Sequence, residues 1–336
     1  MVAAFGLLDL LVAFAPQRIP RLNAIGIDPW ALGFTLLLAV LTGIIFGLAP
    51  ALQASQPDLK ATLKEGGTRT TGGAAGQRLR SLLVVAEVAL ALVLLIGAGL
   101  LLKSFTQLRE TKLGFNPDHV LTASVTLPEA AYPTMAQVKA YYQQALARLA
   151  ARPEAQSAGV VSSLPLGNTG AGIRGDLTVE GETTARAGVS ASKLAVSADY
   201  FRALGIPLLL GRAFDERDTA GAPGVLIISE TLASRLWPNE SALGKRLNIG
   251  FRGETWREVV GVAGDIKQRE LGAPPVSALY QPFQQVADNR RWMLEEMSFV
   301  VRTATPPQSF AASLRSELQV VDKELPLHNV AVMEQI

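Results

Sequence analysis

Two apolar runs constrain this chain more than anything else in it. Residues 31–52 carry no charge over 22 positions, and residues 81–102 carry one, Glu87, over another 22. As a helix, at 1.5 Å per residue, each is about 33 Å long, enough for a hydrocarbon core of ~30 Å. A helix on the surface of a soluble protein keeps a polar face, and neither run has one. Both are expected to cross a membrane. A shorter apolar stretch fills residues 1–16. Ala13-Phe14-Ala15 has the small-x-small pattern of a signal-peptide cleavage site. Against that reading, no positive residue precedes the run, Asp9 interrupts it and Pro16 follows the cut directly. The preferred reading is the tail of a membrane helix that starts before Met1.

Charge in the loops sets the expected topology. Residues 53–80 carry Lys60, Lys64, Arg69, Arg78 and Arg80, whereas 17–30 carry only Arg18 and Arg21. Positive loops stay in the cytoplasm, so 53–80 is expected inside and the long remainder from about Lys103 outside. Trp30 then stands at the outer end of the second span, where an amphipathic ring is favoured. Asp28-Pro29 before it reads as an N-cap and first-turn proline. Within the loop, residues 58–66 form a short helix pattern. Asp58 can cap it, Leu59 and Leu63 share a face, Lys60 and Lys64 flank them, and Gly66 can end it. It reads equally as an interfacial or partner-binding element and as a solvated linker. Residues 66–76 hold five glycines and read as a flexible tether.

Beyond Lys103 the pattern is that of a layered α/β or α+β domain. Residues 119–127 alternate, with Leu121, Ala123, Val125 and Leu127 on one face, as in a half-buried strand. Residues 134–152 switch to helical periodicity, with Val138, Tyr141, Tyr142, Ala145, Leu146 and Leu149 in one stripe and Pro153 as the stop. A short helix is expected over 198–204, with Ser197 as cap and Gly205 as stop. A strand at 225–228 leads into a helix at 230–237. Further strands are expected at 259–262, 278–280 and 298–302. A helix over 306–321 presents Phe310, Leu314, Leu318 and Val321, with Thr305 as cap.

Composition and motifs exclude most chemistry. Hydrophobic residues make up 49% and charged residues 18%, which does not fit a disordered chain. The net charge of +2 gives no electrostatic footprint for nucleic acid. With no cysteine there is no disulfide framework, thiolate nucleophile or cysteine metal site. The two histidines, His119 and His328, lie far apart in the sequence. Residues 170–175 match G-x-G-x-x-G, but proline and glycine precede them and a strand pattern, Asp176-Leu177-Thr178-Val179, follows. A dinucleotide site needs a strand before and a helix after, so a loop is the expectation. G-x-x-x-x-G-K-[ST], G-x-S-x-G and H-E-x-x-H are all absent. Two membrane features remain. Glu87 sits about a turn and a half inside its span. An intramembrane carboxylate is costly and marks a candidate for ion or substrate handling, but this one is shallow enough to reach the interface or pair with Arg78 or Arg80, which favours a structural role. Gly43 and Gly47 form a G-x-x-x-G that lets another helix approach closely.

Longer patterns resemble a known family. Residues 34–52, then Leu59-Lys60 and Leu63-Lys64-Glu65-Gly66, then 78–90 and 97–101, are similar to the MacB/FtsX-type ABC transporter permeases. So are Val196-Ser197-Ala198-Asp199-Tyr200-Phe201, Leu204-Gly205-Ile206-Pro207, Gly211-Arg212-Ala213-Phe214 and residues 259–265. The resemblance implies membrane α-helical segments joined to an α+β (α/β layered) MacB-like periplasmic core domain. Residues 1–52 would be the end of a first FtsX-like unit, with helices at 1–15 and 31–52. Residues 53–80 would be a cytoplasmic linker and 81–102 a transmembrane stalk helix. Residues 103–336 would be the periplasmic core domain, with a subdomain inserted near 206–283. It further implies a non-catalytic subunit, without cofactor, in the bacterial inner membrane as a multi-pass protein. Its partners would be a separate cytoplasmic ABC ATPase that binds the ATP, membrane lipids, and a second permease copy or a further membrane half. The role would be efflux or mechanotransmission, moving a lipoprotein, peptide, antibiotic or other envelope molecule. A membrane-tethered binding or sensor domain without an ATPase is the alternative. An envelope enzyme is disfavoured for want of a nucleophile–base or metal constellation.

Overall fold

The computed structural model describes residues 30, 33–37, 39–44, 74–109, 113–167, 172–182, 189–251, 253, 255–270 and 272–336. Asp28-Pro29, the short helix pattern at 58–66 and Gly47 fall outside these residues. The chain divides into two units, Met1–Gln107 and Leu108–Ile336.

In the first unit, Trp30 and residues 33–37 and 39–44 are helical. Helix α1 runs over Ala74–Arg109, 36 residues, or about 54 Å. It includes residues 74–76, so the end of the glycine-rich stretch is helical and not tether. It also continues past Leu102, where the apolar run stops. Its Leu and Val side chains, from Val84 to Leu102, are exposed.

The second unit is built on a twelve-stranded mixed sheet. Its strands are β1 (Val120–Thr126), β2 (Ala155–Val161), β3 (Ile173–Asp176), β4 (Thr178–Val179), β5 (Ser190–Val196), β6 (Leu208–Gly211), β7 (Val225–Ser229), β8 (Arg246–Asn248), β9 (Arg257–Ala263), β10 (Ala278–Pro282), β11 (Glu296–Thr303) and β12 (Leu327–Val332). The order is β12-β1-β11-β2-β5-β10-β7-β9-β8-β4, with β3 on β5 and β6 on β9. Helices α2 (Met135–Ala150), α3 (Tyr200–Leu204), α4 (Glu230–Leu236) and α5 (Pro307–Val321) connect and cover it.

Three apolar clusters hold these layers together. Alternate residues of β1, Leu121, Ala123, Val125 and Leu127, meet the stripe of α2 (Met135, Val138, Tyr141, Tyr142, Ala145, Leu149) and Phe310, Leu314 and Leu318 of α5. Each helix thus buries the stripe that periodicity expected. Thr134 and Gln137 cap α2 reciprocally. Glu317 of α5, 7% exposed, ties the two helices by accepting from Arg148 at 2.8 Å and Arg152 at 2.5 Å. A second cluster lies around α3, where Tyr200, Phe201 and Leu204 pack with Val196, Tyr280 and Val300. The third joins α4 to β7, β8 and β9 through Leu232, Leu236, Ile228, Leu247 and Val259.

Two expected caps are not used. Helix α3 begins at Tyr200 after Asp199, and Ser197 turns its Oγ to the β2 backbone, accepting from the Val160 N–H at 2.9 Å. Helix α5 begins at Pro307 without a side-chain cap, since proline at the helix start removes an orphan donor. Thr305 instead accepts at its carbonyl from Thr303 Oγ1. Gly205 does end α3, in the left-handed conformation at φ +62°. The part of the sheet holding β6 to β10, at 208–282, also takes in β4 from earlier in the chain.

Candidate functional site

The sequence singled out residues that the fold does not gather into one site. Gly43 is helical, with open space where a Cβ would stand. Gly47, Asp58, Leu59, Lys60, Leu63 and Lys64 lie outside the described residues. Glu87 is an exposed position of α1. Within α1, Val84–Ser104 is long and apolar enough to cross a membrane, and none of it is buried.

The G-x-G-x-x-G run does not form a nucleotide loop. Its last three residues, Ile173-Arg174-Gly175, are strand β3, antiparallel to β5, and another strand follows rather than a helix. The histidines stay apart. The His119 carbonyl accepts from the Thr303 N–H at 2.8 Å, while His328 Nε2 lies 3.2 Å from Glu296 Oε1. Among the described residues no group of three or more His, Cys, Asp or Glu could hold a metal ion.

Among the described residues, a close-knit polar arrangement lies where the chain joins the sheet, at residues 113–119, just before β1. The Leu113 carbonyl accepts from the Lys267 N–H at 2.8 Å. Gly114 has φ +79°, and a Cβ there would stand 1.9 Å from the Asp265 carbonyl oxygen, so only glycine fits. Phe115 is buried in the α3 cluster. The Asn116 N–H donates to the Leu204 carbonyl at 2.7 Å, and Asn116 Oδ1 accepts from the Asp118 N–H at 2.8 Å. Arg302, opposite Val120 in the β1–β11 ladder, closes the arrangement. Its guanidinium donates to three carbonyls: Ala203 at 3.0 Å, Asp118 at 2.8 Å and Asn116 at 2.9 Å. Burial pulls the Arg302 pKa down and the Asp118 charge pulls it back up. Gly205 makes room, since its Cβ would meet Asn116 Cβ at 3.2 Å and Arg302 Nη2 at 3.5 Å.

Sequence reasoning read Gly205 as a helix stop and Arg302 as the last residue of a strand. It had no view of Gly114. The one available signal was a guanidinium ending the run Ser298-Phe299-Val300-Val301, since a charge inside an apolar strand needs a partner.

A second feature is a cavity of about 240 Å³ lined by Ser124, Leu164, Gly167, Ser298, Asn329, Val330, Ala331 and Ile336. It opens where the β1–β12 register slips between Thr122 and Ser124, with Asn329 at φ +51°. Its floor is a hydroxyl pair, Ser124 Oγ and Ser298 Oγ, 2.9 Å apart.

An apolar helix leading into a folded α+β domain defines a class, the membrane-anchored proteins with a domain outside the bilayer core. Within it, residues 81–317 match the model of the MacB-like periplasmic core domain, and the chain belongs to that family. Such domains are parts of ABC-type transporter permeases, and they face away from the cytoplasm. Among solved structures, the periplasmic region of MacB from Actinobacillus actinomycetemcomitans is similar at 17% identity and a TM-score of 0.43. That match covers 66% of this chain and 94% of that one. The extracellular domain of the noncanonic ABC-type transporter YknZ from Gram-positive bacteria is similar at 15% identity and a TM-score of 0.39, covering 62% and 100%. A comparison with curated proteins finds no match.

Proposed function

We propose that this chain is a non-catalytic permease subunit of an ABC-type transporter, coupling ATP hydrolysis by a separate cytoplasmic ATPase to movement of the domain at 108–336. The observation that carries the reading is the extent of the family match, which takes in the membrane-crossing part of α1 and the folded domain as one piece. A permease that works by transmitting motion needs that continuity. It also needs the domain to grip the chain it receives, and the carbonyls of Leu113, Asn116, Asp118 and His119 and the Asn116 N–H are all held by other parts of the domain.

The same reading assigns the chain to the bacterial inner membrane as a multi-pass protein, with residues 53–80 inside. Its further contacts are lipid and a second copy or another membrane half. Gly43 and Gly47 serve helix packing, and Glu87 serves a structural role near the interface. Residues 58–64 are offered to the ATPase side. Efflux or mechanotransmission of an envelope molecule is the task.

The test is affinity capture of the tagged chain from native membranes after mild cross-linking. A Walker-motif ATPase recovered in fixed ratio is the expected result. Repeated capture of the intact protein with no ATPase, together with domain positions that ignore ATP, overturns the proposal and favours the tethered sensor.

A further inference from the structure

We infer that Arg302 locks the chain emerging from α1 to the sheet, so that residues 113–118, β11 and the C-terminal end of α3 move as one body. Three observations converge. The guanidinium joins carbonyls from two separate segments, 116–118 and 203, while its own backbone lies in the β1–β11 ladder. A fork of donors spanning three acceptors fixes orientation as well as distance, which a single point charge does not do. The far side of the same segment is pressed on the Asp265 carbonyl at Gly114, with the next contact at Lys267. The incoming chain is therefore held from both sides, with Phe115 buried between. Backbone carbonyls are the acceptors, so the lock reads the path of the chain rather than any side chain on it. Arg302 is a positioning residue, and the inference uses the proposed function only in supposing that α1 moves.

Hydrogen exchange on the full chain in lipid nanodiscs decides it. In the parent chain the peptide covering 113–118 should be protected at Asn116, whose N–H donates to the Leu204 carbonyl. Arg302→Met should speed exchange of that peptide and of the α3 C-terminus roughly 10- to 100-fold, with β2, β7 and β9 unchanged. Arg302→Lys, keeping the charge without the fork, should fall between. Gly114→Ala attacks the segment from the opposite side without touching Arg302, and should release the same peptide. The inference is overturned if 113–118 exchanges freely in the parent chain, if Arg302→Met leaves it unchanged, or if Arg302→Lys and Gly114→Ala both leave it protected. A second arm uses membranes carrying the ATPase. ATP should change exchange in α3 and β11 of the parent chain, and Arg302→Met should abolish that response while hydrolysis continues. Should the parent chain show no ATP response, the proposed function falls and the first arm alone decides the lock.

Discussion

Helix α1 and the sheet domain are both rich in Leu, Val and Ala, yet they use them in opposite ways. Between Val84 and Leu102, α1 exposes its large side chains, with Leu94 at 65% and Leu101 at 74%. In the sheet domain the same residue types disappear into three clusters, and Leu121, Leu149 and Leu226 are 2% exposed or less. The difference lies in where each region finds an apolar environment. The helix satisfies its backbone internally and needs lipid around it. The domain makes its own interior, and its strands have to find partners far away in the sequence. A perturbation aimed at one region should therefore leave the other intact.

The largest separation should come from alkali. All five tyrosines lie in the sheet domain. Tyr200 and Tyr142 are pushed well above the ordinary value of 10.0 by burial, and so are Tyr132, Tyr141 and Tyr280. Their folded-state stabilisation is whole below the unfolded value of about 10. Above it the unfolded chain releases protons that the folded one retains, so stability falls by up to about 1.4 kcal/mol per pH unit for each of the four buried tyrosines, and by less for the partly exposed Tyr132. The domain should unfold cooperatively above pH 10, read by tyrosinate absorbance, while circular dichroism of α1 in lipid persists. Simultaneous loss of both would break the comparison.

Next comes Phe310→Ala, which hollows the cluster between α2, α5 and β1. It should cost about 3–5 kcal/mol in denaturant unfolding of the domain, with membrane integration unchanged. The mirror experiment, Leu94→Arg at the middle of the apolar run, should raise the cost of insertion by roughly 2.5–3.5 kcal/mol on the translocation scale. Alkaline extraction of membranes would read it, and the melting of the domain should not move. A shift in domain melting would mean that the two regions share stability after all. The smallest effect should follow Glu317→Gln. Arg148 and Arg152 are about two-fifths exposed, so water replaces much of what they lose, and about 1 kcal/mol is expected in thermal unfolding.

What was legible in the sequence follows the same division. Helices α2 and α5 were readable because each has one buried and one open face, which stamps a period on the residues. Strand β1 is buried on both faces rather than half-buried, and it was readable because Leu121, Ala123 and Val125 alternate with Thr122 and Ser124. Strands β2 and β5 were not. Ala155-Gln156-Ser157-Ala158-Gly159-Val160-Val161 is mostly small residues, and Gly159 is required because a Cβ would stand 2.8 Å from Tyr200 Cα. Ser190-Ala191-Ser192-Lys193-Leu194-Ala195-Val196 carries a lysine mid-strand, although Lys193 is 3% exposed and lies 4.4 Å from the centroid of the Phe251 ring. Both strands are buried on two faces, and neither carries a regular apolar–polar alternation. Ser197 was assigned to a cap because its neighbours in sequence offered one, whereas its partner, the Val160 N–H, lies 37 positions away.

By itself the sequence determined that the middle of α1 is apolar over a bilayer's thickness, a local property that no distant contact has to complete. It also determined helices α2 and α5, each of which has one wet face. Only the tertiary structure decided that β5 pairs with β10, that β12 slips its register over a cavity, and that Arg302 holds the incoming chain. The Arg302–Asn116 bond joins residues 186 positions apart. A pairing at that range leaves no period in the local sequence, because it is selected by the packing of the whole sheet rather than by the residues beside it.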